Sequence, residues 1–104
     1  MFYYDKSKFS NDQIKVIDAC IASGYNPANF LNPQYDWAKM RIAYHTLRNG
    51  NDLSPYLADF DHAQLDEIRL GLLSGVDVSQ YAITSLDAGE MQHKRMSLEF
   101  HKKG

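Results

Sequence analysis

Trp37, Arg41, Tyr44 and Arg48 follow one another at spacings of 4, 3 and 4 residues. On an α-helix that spacing lines the four side chains along one stripe. Trp, Tyr and Arg are the residue types enriched at binding hot spots, since each joins broad contact area to a polar or charged tip. The same mixture stacks on the bases of single-stranded nucleic acid. At about 100° per residue, the stripe lies roughly 90° from the apolar face of Met40, Ala43 and Leu47. Two readings stay open: the stripe is an exposed binding face, or Trp37 packs between helices while Arg41 and Arg48 reach past it to acids. Arg69 and Arg95 complete the candidate binding set, because in later repeat units they hold the position that Tyr44 holds in its own.

The remaining reactive side chains form no recognisable constellation. The histidines are His45, His62, His93 and His101, and neither H-E-x-x-H nor C-x-x-C occurs. Those are spacings at which zinc ligands converge. His93 and His101 lie 8 residues apart, and no shared metal is expected of them. Asp59 and Asp61 would face the same way only in extended chain, and Asp61 reads better as a helix cap. EF-hand, Walker and nucleophile-elbow patterns are absent. Cys20, the single cysteine, cannot form an internal disulfide and reads as a packed thiol. No catalytic residue, metal or cofactor is therefore expected, and the chain is not read as an enzyme.

The elements that would position the stripe emerge from an internal repeat. Gly24, Gly50 and Gly75 lie 26 and 25 residues apart, and Phe9, Tyr35, Phe60 and Leu86 lie 26, 25 and 26 apart. The series Ile14, Met40, Leu65, Met91 and Ile21, Leu47, Leu72, Leu98 keep the same register. The units run approximately over 9–34, 35–59, 60–85 and a truncated 86–104, with 1–8 as an N-terminal cap. Ser10, Asp36, Asp61 and Asp87 stand at N-cap positions, where a side-chain oxygen accepts from an orphan backbone N–H. Gln13, Gln64 and Glu90 complete three capping boxes, while Lys39 occupies that place in the second unit. Each glycine ends a long helix in a left-handed residue. Asn26, Asp52 and Asp77 then cap a short helix that carries Phe30, Tyr56 or Tyr81 inward. Cys20, Thr46, Gly71 and Ser97 share one position in the long helix, and a small residue there implies close approach of a neighbouring helix. No unit this short buries its own apolar face, so the units must stack. The expected fold is all-α: a single domain forming a small α-solenoid of about four stacked long-helix/short-helix units.

Composition agrees with one globular domain: 104 residues, 44% hydrophobic, 12% aromatic and 23% charged. Disorder throughout is excluded by the aromatic content. No apolar run is long enough for a transmembrane helix, and the N-terminus lacks a signal-peptide pattern, so a cytoplasmic location with no membrane partner is expected. The net charge of −2 divides into +2 over residues 1–51, −7 over 52–90 and +3 over 91–104. No dominant basic field marks a duplex-binding protein. The acidic middle could steer a basic partner, although several of its acids are already assigned as helix caps.

The third unit, Phe60 to Ala82, resembles short tandem helical repeats of the form F-x-x-x-Q-M-x-E-I-R-x-G-L-x-x-G-x-D-V-S-x-Y-A. These occur in proteins of Firmicutes phages, plasmids and conjugative elements. The likeness rests on Phe60, Gln64, Glu67-Ile68-Arg69, Gly71-Leu72, Gly75, Asp77-Val78-Ser79 and Tyr81-Ala82. The second unit keeps the framework but reads Ile42-Ala43-Tyr44 where the third has Glu-Ile-Arg. The resemblance implies a mobile-element accessory protein and carries no catalytic residue. The expected function is a non-enzymatic protein-binding module, an inhibitor of a host defence protein in the manner of anti-CRISPR proteins, with a host or element-encoded protein as partner. The alternatives are a nucleic-acid-associated accessory factor using the aromatic and basic stripe, and a structural module that forms homodimers through the solenoid ends. Phe100, opposite Ser23, Asn49 and Ser74 in the repeat, is expected to close the stack or to sit in such a dimer contact.

Overall fold

Four residues start the four long helices. Ser10 Oγ accepts from Gln13 N at 3.2 Å, and the Asp36, Asp61 and Asp87 carboxylates accept from Lys39 N, Gln64 N and Glu90 N at 2.7–2.8 Å. Three reciprocal bonds close the capping boxes: Gln13, Gln64 and Glu90 accept from the backbone N–H of Ser10, Asp61 and Asp87. Lys39 carries no acceptor, so the second helix is capped from one side only. Gly24, Gly50 and Gly75, at φ of 87°, 82° and 80°, turn the chain out of the first three helices. Only glycine adopts that conformation without strain.

The computed structural model describes residues 3–103. Met1 and Phe2 of the expected N-terminal cap, and Gly104 after the last helix, lie outside the described residues. Every regular element among those described is helical. The long helices are α1 (Asn11–Ala22), α2 (Trp37–Arg48), α3 (His62–Ser74) and α4 (Ala88–Lys103), and short 3-10 turns cover Lys6–Lys8, Pro27–Phe30 and Val78–Gln80. Each long helix packs against the next in chain order, and the molecule measures 48 × 26 × 18 Å. No described helix is long and apolar enough to cross a membrane.

One continuous core runs through the units. Ile17 and Cys20 of α1, Met40 and Ala43 of α2, Leu65 and Ile68 of α3, and Met91 of α4 are buried in it. Phe30 and Tyr81 point inward from their short helices and are fully buried. The second unit departs from this pattern. Its residues 54–59 form consecutive turns instead of a short helix. Leu53 and Leu57 take the core positions there, and Tyr56 is only half-buried.

The small-residue position, where a close helix neighbour is expected, accounts for the departure. At Gly71 the close neighbour is the unit's own short helix, not the next long one: an added Cβ would lie 1.9 Å from the Tyr81 hydroxyl and 2.8 Å from Val78 Cγ1. Tyr81 uses that space to donate its O–H to the Glu67 carbonyl at 2.7 Å. In the second unit Thr46 fills the equivalent space and donates its own hydroxyl to the equivalent carbonyl, that of Ile42, at 2.7 Å. With the space and the acceptor both taken, Tyr56 has no reason to insert.

Two glutamines join successive units. Gln13 Nε2 donates to the carbonyls of Pro33 and Tyr35 at 3.1 and 2.7 Å, ahead of α2. Gln64 Nε2 donates to Thr84 and Leu86 at 3.4 and 2.7 Å, ahead of α4. Lys39, between them, donates to the Leu57 carbonyl at 2.8 Å.

Candidate functional site: an arginine-rich groove between the second and third helices

The stripe on α2 stands at the surface. Trp37 is 44% exposed, so it is not packed between units. The Arg41 guanidinium lies over the Trp37 ring at 5.7 Å, and that of Arg48 over Tyr44 at 5.6 Å. Such stacking holds each planar cation flat against an aromatic face and leaves its N–H edge open to other acceptors. Tyr44 is half-buried, edge-on to Tyr25 at 6.4 Å and stacked on His45 at 5.7 Å. Its hydroxyl hydrogen-bonds Ser23 Oγ at 2.8 Å, which fixes the ring across the α1–α2 seam.

The helical turn that aligns Arg41 with Arg48 also places His45 and Ile42 beside them, and α3 supplies the opposite wall. Arg41, Ile42, His45, Arg48, Asp66 and Arg69 line a groove of about 570 Å³. Arg69 is held by Asp66 one turn earlier, with Nε and Nη2 each 2.9 Å from Oδ1. Among the described residues neither Arg41 nor Arg48 has a carboxylate partner. The groove thus holds three guanidinium groups against one carboxylate. His45 is held below its ordinary pKa, first by burial and then by the charges of Arg41, Arg48 and Arg69, with Asp66 opposing them. At neutral pH it is an uncharged imidazole with hydrogen-bonding capacity.

Arg95 lies elsewhere. Its guanidinium donates to Glu67 at 2.8 Å and to Glu99 at 2.8 Å, and its side chain is 12% exposed. Burial works against its charge, yet these two carboxylates hold its pKa above the usual arginine value. Of the expected binding set, Trp37, Arg41, Tyr44, Arg48 and Arg69 therefore share one face, whereas Arg95 ties α4 to α3. His45, Ile42 and Asp66 complete the groove and were not singled out from sequence. A signal for the groove existed: where Arg95 has Glu67 and Glu99, the repeat counterparts around Arg69 are Ile42 and Leu73.

The other reactive groups serve the fold. Cys20 is fully buried, and burial pushes its thiol up to about 11, so it stays protonated. Asp52 and Asp77 accept from Ser54 N and Ser79 N at 2.8 and 3.1 Å and from the same serines' hydroxyls. With Asp61 and Asp87 at caps and Asp66 and Glu67 in ion pairs, much of the acidic 52–90 stretch is engaged within the fold. Among the described residues no three His, Cys, Asp or Glu side chains converge as a metal site would require. No family model, curated protein or solved structure matches the chain.

Proposed function

We propose that the chain is a non-enzymatic protein-binding module, a short solenoid of helical units whose binding face is the aromatic and arginine stripe of α2. One observation carries this reading. Trp37 is exposed with Arg41 stacked on it, and Tyr44 and Arg48 continue the same face. An exposed tryptophan inside a set of arginines and tyrosine is the composition of an interface centre. The likeness of the third unit to mobile-element repeats supports the further reading that the protein belongs to such an element and inhibits a host defence protein. The partner is then a protein of the host or of the element.

Affinity capture from nuclease-treated host lysate, with wild type and Trp37→Ala side by side, tests the reading. A protein retained by the wild type and lost with the variant is the expected result. The substitution should cost the complex about 2 kcal/mol, a usual hot-spot magnitude. Equal retention by both proteins places the interface elsewhere. Capture seen in a parallel untreated lysate but not in the nuclease-treated one assigns the stripe to nucleic acid.

A second reading, self-association, is favoured by α4, where Met96 is exposed and Phe100 is 76% exposed. The Phe100 ring meets that of its chain neighbour His101 edge-on at 5.8 Å and is not part of the buried core. A solution mass twice that of the monomer, reverting with Phe100→Ser, would establish that homodimer.

A further inference from the structure

Arg69 and Arg95 occupy one position in successive units, 26 residues apart. Arg95 meets Glu67 from the preceding unit and Glu99 from its own helix. Transferred back by one repeat, Glu67 corresponds to Ile42 and Glu99 to Leu73. Both carboxylates that would satisfy Arg69 in that geometry are thus replaced by apolar side chains. Arg69 turns instead to Asp66, whose side chain is 42% exposed. Arg41 and Arg48 add two further guanidinium groups on the same groove. Like charges brought together beside a desolvated imidazole repel one another unless an anion enters. One seam carries its own carboxylates, and the other has the arginines without enough of them.

We propose that the α2–α3 groove is a carboxylate-binding site that takes an acidic side chain from a partner protein, in place of the carboxylates that Glu67 and Glu99 supply at the α3–α4 seam. This rests on the protein-binding reading above and names the chemistry of its partner. A guanidinium fork matches a carboxylate in two parallel hydrogen bonds. Arg41, Arg48 and Arg69 offer such forks, and Ile42 lines the groove beside them. An acidic residue flanked by apolar ones therefore suits the groove and the neighbouring Trp37 together. The charge distribution favours a protein segment over a nucleic acid. The groove's three arginines against one acid sit on a molecule of net charge −2, and residues 52–90 carry −7. A polyanion extending beyond the groove would run into that field, whereas a single acidic segment need not.

The test uses the full chain and a short acetylated, amidated peptide of alternating Glu and Leu as the probe. Binding is read from Trp37 emission, the only tryptophan signal in the chain, and from the imidazole resonances of His45. The peptide should shift both and raise the pKa of His45, because the added carboxylate offsets the arginine charges. Affinity should fall with ionic strength. Arg48→Gln and Arg69→Gln should each weaken binding about tenfold or more, the scale of one lost charge-assisted contact. Leu73→Glu, at an exposed helical position one turn from Arg69, should restore the missing acid and weaken the peptide similarly while leaving the melting temperature intact. Lys94→Gln, which removes one exposed charge on α4, should change nothing. Peptide binding that survives Arg48→Gln and Arg69→Gln would overturn the site, as would tighter binding of oligothymidylate of matched charge. No peptide binding by a protein whose captured partner is still lost with Trp37→Ala would defeat the carboxylate groove and leave the binding face standing.

Discussion

The α2–α3 and α3–α4 seams present one arginine to two surroundings. At α3–α4, Arg95 is enclosed by Glu67 and Glu99, with side-chain exposures of 12%, 14% and 24%. At α2–α3, Arg69 keeps one local acid and opens onto a groove with two more arginines. The backbone register is the same, and two side chains, Ile42 and Leu73, make the difference. A helical framework can thus hold its shape while an internal ion-pair cluster becomes a surface that invites an external anion. The same two units differ in their small-residue position. Gly71 admits Tyr81 to the core, and Thr46 leaves Tyr56 partly outside.

Gly71→Ala should be the most damaging change to this pair of units. The new Cβ meets the Tyr81 hydroxyl and Val78, so overpacking should cost about 3 kcal/mol in a denaturant melt. Tyr81→Phe should recover part of that loss by removing the nearest atom. Thr46→Ala, at the equivalent position, should cost nearer 1 kcal/mol, for one hydroxyl bond and a methyl. Equal costs at the two positions would remove the packing distinction.

Arg95→Met should cost roughly 2 kcal/mol, because it leaves Glu67 and Glu99 in a partly desolvated place with no cation. Arg69→Met should cost well under 1 kcal/mol, since its only acid is a half-exposed neighbour one turn away. If Arg69→Met proves the more destabilising, the closed-versus-open contrast between the seams is wrong.

The smallest effect is a pH dependence. His45 has a folded-state pKa below the ordinary 6.5, so the unfolded chain binds its proton first. Its contribution to stability is complete above that value and falls as pH drops toward the lower folded one. Asp52 and Asp77, held below 3.8 chiefly by the hydroxyls of Ser54 and Ser79, lose theirs only in a more acidic window. Arg69→Met should raise the folded pKa of His45 and flatten the first window, read by NMR titration of that imidazole. An unmoved resonance would separate His45 from the groove's charge.

The helices and their ends were legible in the sequence because they depend on bonds a few residues apart. Ser10 with Gln13, Asp61 with Gln64 and the three glycines act locally. Contacts between units were harder to read. The Arg95 partner Glu67 lies 28 residues away on another helix, and the candidate set therefore joined Arg95 to a face it does not share. The irregular 54–59 segment was missed for a similar reason. Its Asp52 cap and Pro55 suit a short helix, and the outcome was set by Thr46 on a neighbouring element. The exposure of Trp37 depends on which flank of α2 the neighbouring helices leave open, which no spacing within α2 reveals.

The bridging glutamines have a consequence for how the molecule opens. Gln13 and Gln64 each use one amide to hold the start of their own helix and the backbone that leads to the next. Fraying that helix start releases the neighbour's approach, and undocking the neighbour loosens the cap. The first unit is cooperatively tied to the second in this way, and the third to the fourth. Between the second and third the position belongs to Lys39, whose flexible ammonium reaches a single carbonyl and leaves the cap one-sided. Slow amide exchange should therefore divide the chain into two blocks that protect as pairs. Their boundary falls at the α2–α3 seam, so the groove lies along the line where the molecule yields first.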